Sequence, residues 1–330
     1  MIKICLIDIK LAASFVRQID FSEVVLHGML SVLLFSGALH INLDDLKNAK
    51  FPVLILATFG VVSATFITGT ITWWGASLIG ISLPYIYALL FGALISPTDP
   101  IAVLSILKKS GASKNLYAKT GGESLFNDGV GVVVFIAILG VLSDPTDISF
   151  SQVGGVGGLF LWEALGGGFL GGLLGWGIYR MLRSINHYQT EVMLTLALVT
   201  GGYVLAEYLH MSAPICMVVA GLIIGKQGRE LGMSEETREH IDVFWELLDE
   251  IFNAVLFLLI GLEIIIISLT YDIIVLGGLA IGAVLIGRFI SVAGLISILS
   301  IWQRFDKGTI RVLTWGGLRG GISIALALSL

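Results

Sequence analysis

The chain has 330 residues, of which 56% are hydrophobic and 13% are charged, and its mean hydropathy is +0.95. Soluble globular proteins carry about 25% charged residues, so the composition excludes that class. The formal net charge of −5 argues against a nucleic-acid-binding protein, and two cysteines are too few for a disulfide scaffold. Apolar runs of roughly 20 residues have the length of a membrane-spanning helix. The sequence therefore predicts an all-α polytopic membrane protein.

Ten spans are predicted from the apolar runs between charged or turn-forming residues. In chain order they cover residues 22–41, 52–81, 84–107, 119–142, 155–182, 191–209, 212–225, 251–270, 273–302 and 310–330. The second and the ninth are longer than a perpendicular helix requires, so we expect these two helices to be tilted.

The basic residues predict which side of the membrane each connection faces, because Lys and Arg accumulate in short cytoplasmic loops. Alternate connections contain 14 of the 19 basic residues: Lys47, Lys50, Lys108, Lys109, Lys114, Lys119, Arg180, Arg183, Lys226, Arg229, Arg238, Arg304, Lys307 and Arg311. The intervening connections, around Ser82 and His210 and at residues 144–152 and 271–272, contain none. We predict that the basic connections are cytoplasmic. The N-terminal basic residues fall on the other side, as expected if the chain is part of a longer one.

The third span contains the sequence Ser-Pro-Thr-Asp-Pro at residues 96–100. Two prolines three residues apart remove backbone donors and clash with a continuing helix, so a break is predicted here. Backbone groups freed at membrane depth must be satisfied by protein or by water in a cavity, and such breaks usually line a site. A simple kink, with Asp99 capping the following half-helix, is the alternative.

The fourth span opens with Gly-Gly-Glu-Ser-Leu-Phe-Asn-Asp-Gly at residues 121–129. Helical spacing puts Ser124, Asn127 and Asp128 on one face, with Glu123 one turn before Asn127. Carboxylate, hydroxyl and amide oxygens suit a hard cation, and protons would compete for the same carboxylate in a desolvated cavity. The alternative is that Asp128 only pairs with an arginine to hold helices together.

Two arginines lie deep inside predicted spans, away from the span ends, where an ionisable group costs about 2.5 to 3.5 kcal/mol. Arg288 lies mid-span and needs a buried acid, for which Glu123 and Asp128 are the obvious partners. Arg319 is surrounded by four glycines, which weaken the helix and predict a second broken span. Glu163 is expected to be structural, and His27 and His40 are expected to lie at the membrane interface. For Glu207 and Glu263, a solvated role and a functional role both stay open.

A glycine-rich stretch covers residues 154–177. It lacks the Lys-Ser/Thr ending of a phosphate loop, so close helix packing through small residues is the preferred interpretation.

Four motifs together resemble the monovalent cation:proton antiporters of the sodium/proton exchanger branch. They are Ser-Pro-Thr-Asp-Pro-Ile-Ala-Val at 96–103, Glu-Ser-Leu-Phe-Asn-Asp at 123–128, Leu-Phe-Leu-Leu-Ile-Gly-Leu-Glu at 256–263 and Trp-Gly-Gly-Leu-Arg-Gly-Gly at 315–321. The resemblance covers nearly the whole chain. It implies an inverted-repeat antiporter fold of about thirteen helices with crossed, broken helices, in which the ten spans would be the third through the twelfth.

The resemblance also implies a division into domains. Residues 1–50 would be the N-terminal part of a dimerisation domain, and residues 51–143 the first repeat of a core transport domain. Residues 144–270 would supply a linking helix and dimerisation-domain helices, and residues 271–330 a truncated second core repeat. A homodimer in the cell membrane is implied.

Residue roles follow from the same resemblance. Asp128 would bind sodium and a proton alternately, next to Asn127, while Ser124 and Thr98, the latter through its backbone carbonyl, would add oxygen ligands to the metal ion. Asp99 would lie nearby, Glu123 and Arg288 would form a buried ion pair, and Arg319 would offset helix-end dipoles at the crossover. One difference concerns residues 34–37, which read Leu-Phe-Ser-Gly, whereas some relatives have a Glu after the Leu-Phe pair.

The resemblance implies secondary active sodium/proton antiport by alternating access. It also implies electroneutral exchange, because Asn precedes the key Asp as in the electroneutral antiporters, and one titrating carboxylate per cycle gives the physical reason. No cofactor, enzymatic activity or nucleic-acid partner is expected, and Li⁺ or K⁺ stay open as further substrates. The alternative is a secondary transporter of a small organic anion that uses Arg288 and Arg319 as binding charges. A membrane-embedded hydrolase is disfavoured, because the sequence has no His-Glu-x-x-His motif and no Ser, His and acid set at membrane depth.

Overall fold

The computed structural model describes residues 29–41, 43–99, 101–111, 113–143, 150–185, 187–225, 235–266 and 270–330. Over these residues the chain forms twelve α-helices. They are α1 (Leu30–Leu39), α2 (Leu43–Leu78), α3 (Tyr85–Leu94), α4 (Ile101–Lys109), α5 (Lys114–Ser143), α6 (Phe150–Leu182), α7 (Tyr188–Tyr208), α8 (Ala213–Ile223), α9 (Glu235–Ile266), α10 (Tyr271–Leu299), α11 (Thr309–Trp315) and α12 (Gly321–Leu328). The described part of the chain is therefore all-α, as the sequence predicts.

Four helical segments of this part are long and apolar enough to cross a membrane: Ala49–Leu78, Asn115–Leu142, Tyr188–Tyr208 and Tyr271–Leu299. Helices α1, α3 and α8 are apolar but shorter. The count of ten spans stays a prediction, and parts of the first and eighth spans, at 22–28 and 267–269, lie outside the described residues.

Both predicted breaks are confirmed. The third span is divided into α3 and α4, and the tenth into α11 and α12. Helix α9 begins at Glu235, about four turns before residue 251, where the eighth span is predicted to begin. Its first four turns are rich in charged residues, which hydropathy excludes from a span although they continue the same helix.

The helices pack in two groups. In the first, α2 packs against α3, α5 and α10, with α4 on α5 and α11 on α10. In the second, α8 packs against α1, α6 and α7, and α9 packs against α1 and α7. Trp245 of α9 is fully buried in the second group, where its ring centroid lies 4.7 Å from that of Phe35 and its Nε1 donates to Thr195 Oγ1 at 3.1 Å. Helix α5 also contacts α6 and α8 and so connects the groups.

The glycine-rich helix α6 approaches α8 through one glycine face, as the small-residue interpretation predicts. Cβ atoms added at Gly167 and Gly171 would collide with the backbone carbonyls of Ser212 and Cys216. A Cβ at Gly175 would lie 3.0 Å from Ala220 Cα, whereas the neighbouring Gly168 and Gly172 face open space. Backbone-to-backbone packing therefore holds α6 against α8.

Candidate ion-binding site

The first break is fixed by hydrogen bonds at the end of α3. Ser96 Oγ donates to the carbonyl of Gly92 at 2.6 Å and lies 3.1 Å from Thr65 Oγ1 of α2. Pro97 then packs on α5, where a Cβ at Gly131 would collide with its ring. The helix ends here because Pro97 has no N–H to donate to the preceding turn. The hydroxyl of Ser96 supplies a donor to a carbonyl at the end of α3 instead.

The second break pairs with the first. Asp99 and Leu318 form an isolated antiparallel bridge, in which Asp99 N donates to Leu318 O at 2.8 Å. A Cβ added at Gly320 would lie 2.8 Å from Asp99 Cβ, so the two unwound segments meet at backbone distance. The pairing satisfies backbone groups that a continuous helix would have satisfied internally.

Three polar side chains form a hydrogen-bonded cluster between the first break and α5. Thr98 Oγ1 lies 2.9 Å from Ser124 Oγ and accepts from Asn127 Nδ2 at 2.7 Å. Asn127 Oδ1 in turn accepts from the backbone nitrogen of Thr98 at 3.2 Å. All three residues are buried. The structure thus brings together Thr98, Ser124 and Asn127, which the sequence selects from two different spans.

Glu123 and Arg288 form a bidentate ion pair in the interior. Arg288 Nη1 and Nη2 donate to Glu123 Oε1 and Oε2, each at 2.8 Å, and the two residues are 4% and 1% exposed. Arg288 Nε also donates to Leu313 O of α11 at 3.2 Å, and Asn127 Nδ2 donates to Glu123 Oε1 at 3.2 Å. Of the two acids that the sequence offers to Arg288, the structure pairs it with Glu123.

Arg319 lies in the second break, part-buried. Its Nη1 donates to Gly317 O at 2.7 Å, and within the described part of the chain no hydrogen-bond partner reaches its Nε. A Cβ at Gly317 would lie 2.9 Å from Arg288 Nε and 3.3 Å from Arg319 Nη1, so the two guanidinium groups flank the same glycine. The glycine therefore makes room for both positive charges where the half-helices meet.

A cavity of about 330 Å³ reaches this region between the two helix groups. Asp99 and Asp128 line it together with Ser36, and Asp128 is 8% exposed. The hydroxyl of Ser36 donates to Trp245 O at 3.1 Å. Asp128 is thus the buried carboxylate that the cavity reaches.

Sequence reasoning missed part of the cavity wall. His40 lines it with Glu246, Asp249 and Asn253 of α9, and Asn253 Nδ2 donates to Asp249 Oδ2 at 3.2 Å. The spacing of positions 246, 249 and 253 on one helical face was a usable signal, but hydropathy excluded positions 246 and 249 from the span. His40, predicted to be interfacial, is exposed at the end of α1, and its ring nitrogen Nδ1 lies 2.8 Å from Ser36 O.

The structure corrects the predicted position of Lys119. The charge pattern assigns it to a cytoplasmic connection, yet it lies inside α5 and is 1% exposed. Its Nζ lies 4.3 Å from the centroid of the Phe305 ring. The long side chain is covered by the segment between α10 and α11, which a linear reading of the sequence does not reveal.

The donor set suits a hard cation. Among the described residues, no group of three His, Cys, Asp or Glu side chains could hold a metal ion. The site instead offers hydroxyl, amide and carboxylate oxygens at a helix break. Alkali and alkaline-earth cations prefer such oxygen ligands to nitrogen or sulfur ligands.

Comparisons with known proteins agree with this architecture. The profile of the family described as "Sodium/hydrogen exchanger, transmembrane" matches residues 6–330. The sodium/proton antiporter NhaP of Pseudomonas aeruginosa is 52% identical over 321 residues, which are 96% of this chain and 74% of that protein. The antiporter NhaH of Halobacillus aidingensis is 38% identical over 326 residues, which are 98% of this chain and 78% of that protein.

A solved structure has the same fold. The sodium proton antiporter MjNhaP1 from Methanocaldococcus jannaschii superposes with a TM-score of 0.75 over 94% of this chain and 73% of that chain, at 20% sequence identity. The likeness confirms the antiporter fold class that the sequence motifs imply.

Proposed function

Because the chain belongs to the sodium/hydrogen exchanger family, we propose that it exchanges sodium ions for protons across a membrane, with Asp128 binding either ion in turn. The observation that carries the proposal is the cavity that reaches Asp128 next to the paired helix breaks. A buried carboxylate that a cavity reaches from one side can bind a cation that has lost its hydration shell, or it can bind a proton, but not both at once.

In this proposal the sodium ion is held by Asp128, Ser124 and Thr98. Ser124 binds through its hydroxyl and Thr98 through its backbone carbonyl. The 2.9 Å contact between Thr98 Oγ1 and Ser124 Oγ supports the proposal that the two residues lie close enough to bind one ion. Asn127 positions Thr98 through two hydrogen bonds, and Asp99 acts from the cavity wall. Arg319 offsets the carbonyl ends of the half-helices, in keeping with its hydrogen bond to Gly317 O.

Exchange is proposed to be electroneutral and to work by alternating access. Glu123 is neutralised by Arg288, which supports a single titrating carboxylate per cycle. The two packing groups support a core domain built from 51–143 and 271–330 that moves against a dimerisation domain built from 1–50 and 144–270. Movement is permitted when Asp128 carries sodium or a proton, because an empty buried carboxylate is costly to carry across a membrane.

The protein is proposed to be a homodimer in the cell membrane with its basic connections in the cytoplasm. Exposed apolar side chains along α6, such as Trp162 and Phe169, support a partner or lipid on that face. Sodium ions and protons are the proposed substrates, and no cofactor is proposed. Exchange rates with lithium and potassium, compared with the rate with sodium, would show whether these ions are also substrates.

The organic-anion alternative is weaker. It needs a free guanidinium at Arg288, but both terminal nitrogens of Arg288 are bound by Glu123. An anion would have to displace a bidentate buried carboxylate, which costs several kcal/mol.

The experiment that tests the proposed function is sodium-driven dequenching of a pH-sensitive dye in proteoliposomes. Asp128→Asn should abolish exchange while the protein stays folded, and the matched control Asp272→Asn, an exposed acid at the start of α10, should leave it unchanged. Exchange at the original rate in Asp128→Asn would overturn the mechanism, and inhibition by organic anions rather than by sodium would favour the alternative.

A further inference from the structure

A second cavity lies outside the ion site, along α10 and the segment that follows it. Its volume is about 580 Å³. Phe289, Ala293, Ile296 and Ser300 line one wall at helical spacings of four, three and four residues, so they form one stripe on α10. The stripe is about 16 Å long at 1.5 Å per residue. The opposite wall is the segment 305–311.

The surroundings of this groove have the composition of a membrane interface. Phe289 is itself exposed, as are Ile290 and Ile298 on the same helix. Trp302, which follows the last turn, is 73% exposed. Exposed aliphatic side chains along a helix that ends in an exposed Trp are typical of a lipid-facing surface at headgroup level.

The wall of the groove formed by segment 305–311 carries a net positive charge. Lys307 and Arg311 line it, and both are exposed. Asp306 also lines the groove, but its Oδ2 accepts a hydrogen bond from Ser113 Oγ at 2.7 Å, on the side towards α5. Within the described part of the chain neither Lys307 nor Arg311 has an ion-pair partner. The lining therefore carries two cations and one carboxylate, a net positive charge, and among these described residues Asp306 forms no ion pair with either cation.

We propose that this groove is a binding site for one anionic phospholipid. The headgroup phosphate lies between Lys307 and Arg311, and an acyl chain follows the apolar stripe of α10. Charge complementarity selects the occupant, since an apolar groove with a basic wall at the membrane surface matches a lipid that has an anionic head and an apolar tail. The proposal rests on the cytoplasmic placement of segment 304–311 that the proposed function includes.

Lipid binding here acts on the core of the transporter. Segment 300–308 joins α10, which carries Arg288, to α11, whose Leu313 carbonyl accepts from Arg288. The same segment covers Lys119 through Phe305. A bound lipid that contacts both α10 and this segment should stabilise the Arg288–Leu313 hydrogen bond and the Lys119–Phe305 contact. Lipid binding should therefore raise the thermal stability of the protein.

The test uses delipidated full-length protein in detergent and measures the thermal unfolding midpoint on adding dioleoyl-phosphatidylglycerol or dioleoyl-phosphatidylcholine. Phosphatidylglycerol should raise the midpoint by about 5 °C more than phosphatidylcholine at saturating lipid. K307Q/R311Q should lose this difference. Ala293→Trp, which fills the groove without changing charge, should lose it too. The control K109Q/R183Q removes two exposed basic residues outside the groove and should keep it.

Four results would overturn the proposal. They are no preference for phosphatidylglycerol in the unmodified protein, an unchanged preference in K307Q/R311Q, equal stabilisation by glycerol 3-phosphate alone, and a change of oligomeric state in Ala293→Trp. The third result would indicate a site for a free anion, and the fourth a protein partner on this face. None of them depends on ion exchange, so failure of the antiport test is a separate outcome.

Discussion

The backbone nitrogen of Asp99 donates a hydrogen bond to the carbonyl of Leu318 at 2.8 Å, although the two residues lie in different broken helices. This single bond joins the unwound segments of the two halves of the proposed core. It also sets the position of Asp99 on the cavity wall. Its geometry depends on Gly320, which has no side chain where Asp99 packs.

Gly320→Ala should therefore impair exchange. The new Cβ would lie 2.8 Å from Asp99 Cβ, so one of the unwound segments must move. We expect at least a tenfold loss of sodium-driven exchange in proteoliposomes, which corresponds to about 1.4 kcal/mol. Gly294→Ala in α10, where a Cβ meets open space, is the control and should keep full exchange. Equal activity of the two variants would contradict the crossing geometry.

Removing Arg288 should destabilise the protein by about 3 to 5 kcal/mol, because Glu123 would be left buried and charged. The expected observation is loss of folded protein for Arg288→Ala in size-exclusion chromatography. The double variant Glu123→Leu with Arg288→Met removes both charges and should recover folded protein. If the double variant is no more stable than the single one, the ion pair is not the main cause of the loss.

Asn127→Asp should lower stability without making exchange electrogenic. The new carboxylate would lose the hydrogen bond that Asn127 donates to Thr98 and would face Glu123 Oε1 at the present 3.2 Å. We expect a cost of about 1 to 3 kcal/mol. Asn127 is fully buried and hydrogen-bonded to Glu123, whereas Asp128 lines the cavity. Sodium flux should stay insensitive to a potassium–valinomycin diffusion potential, and voltage-driven flux would refute this prediction.

Two glycines of α6 that are neighbours in sequence should respond differently to valine. Gly171→Val should separate α6 from α8, since even a Cβ collides with the carbonyl of Cys216. Gly172→Val should be tolerated because its Cβ meets open space. The free energy of unfolding should be lower by at least about 2 kcal/mol in Gly171→Val than in Gly172→Val. The measurement is the thermal midpoint, which should fall only in Gly171→Val. Similar midpoints for the two variants would count against backbone contact between these helices.

Much of the fold could be predicted from the sequence because its signals are local. Hydropathy predicted the helical membrane class, Pro97 predicted the first break, and the glycines around Arg319 predicted the second. Thr98 was grouped with Ser124 and Asn127 by the family resemblance, and the structure brings all three within hydrogen-bond distance. Hydropathy, prolines and glycines, by contrast, are local signals. Such signals depend only on residues a few positions apart.

The remaining features depend on residues that are distant in the chain. Arg288 and Glu123 are separated by 165 positions. The local sequence left both Glu123 and Asp128 open as partners, and the family resemblance named Glu123. The packing of α10 against the rest of the core brings that pair together. Tertiary structure likewise decided that Lys119 is covered by Phe305 and that His40 and Asp249 face the same cavity as Asp128. The sequence by itself determined where charges enter the membrane, because the cost of burying a charge is local. Which charges meet was decided by helix packing, because an ion pair forms only between groups that the fold brings within a few ångströms.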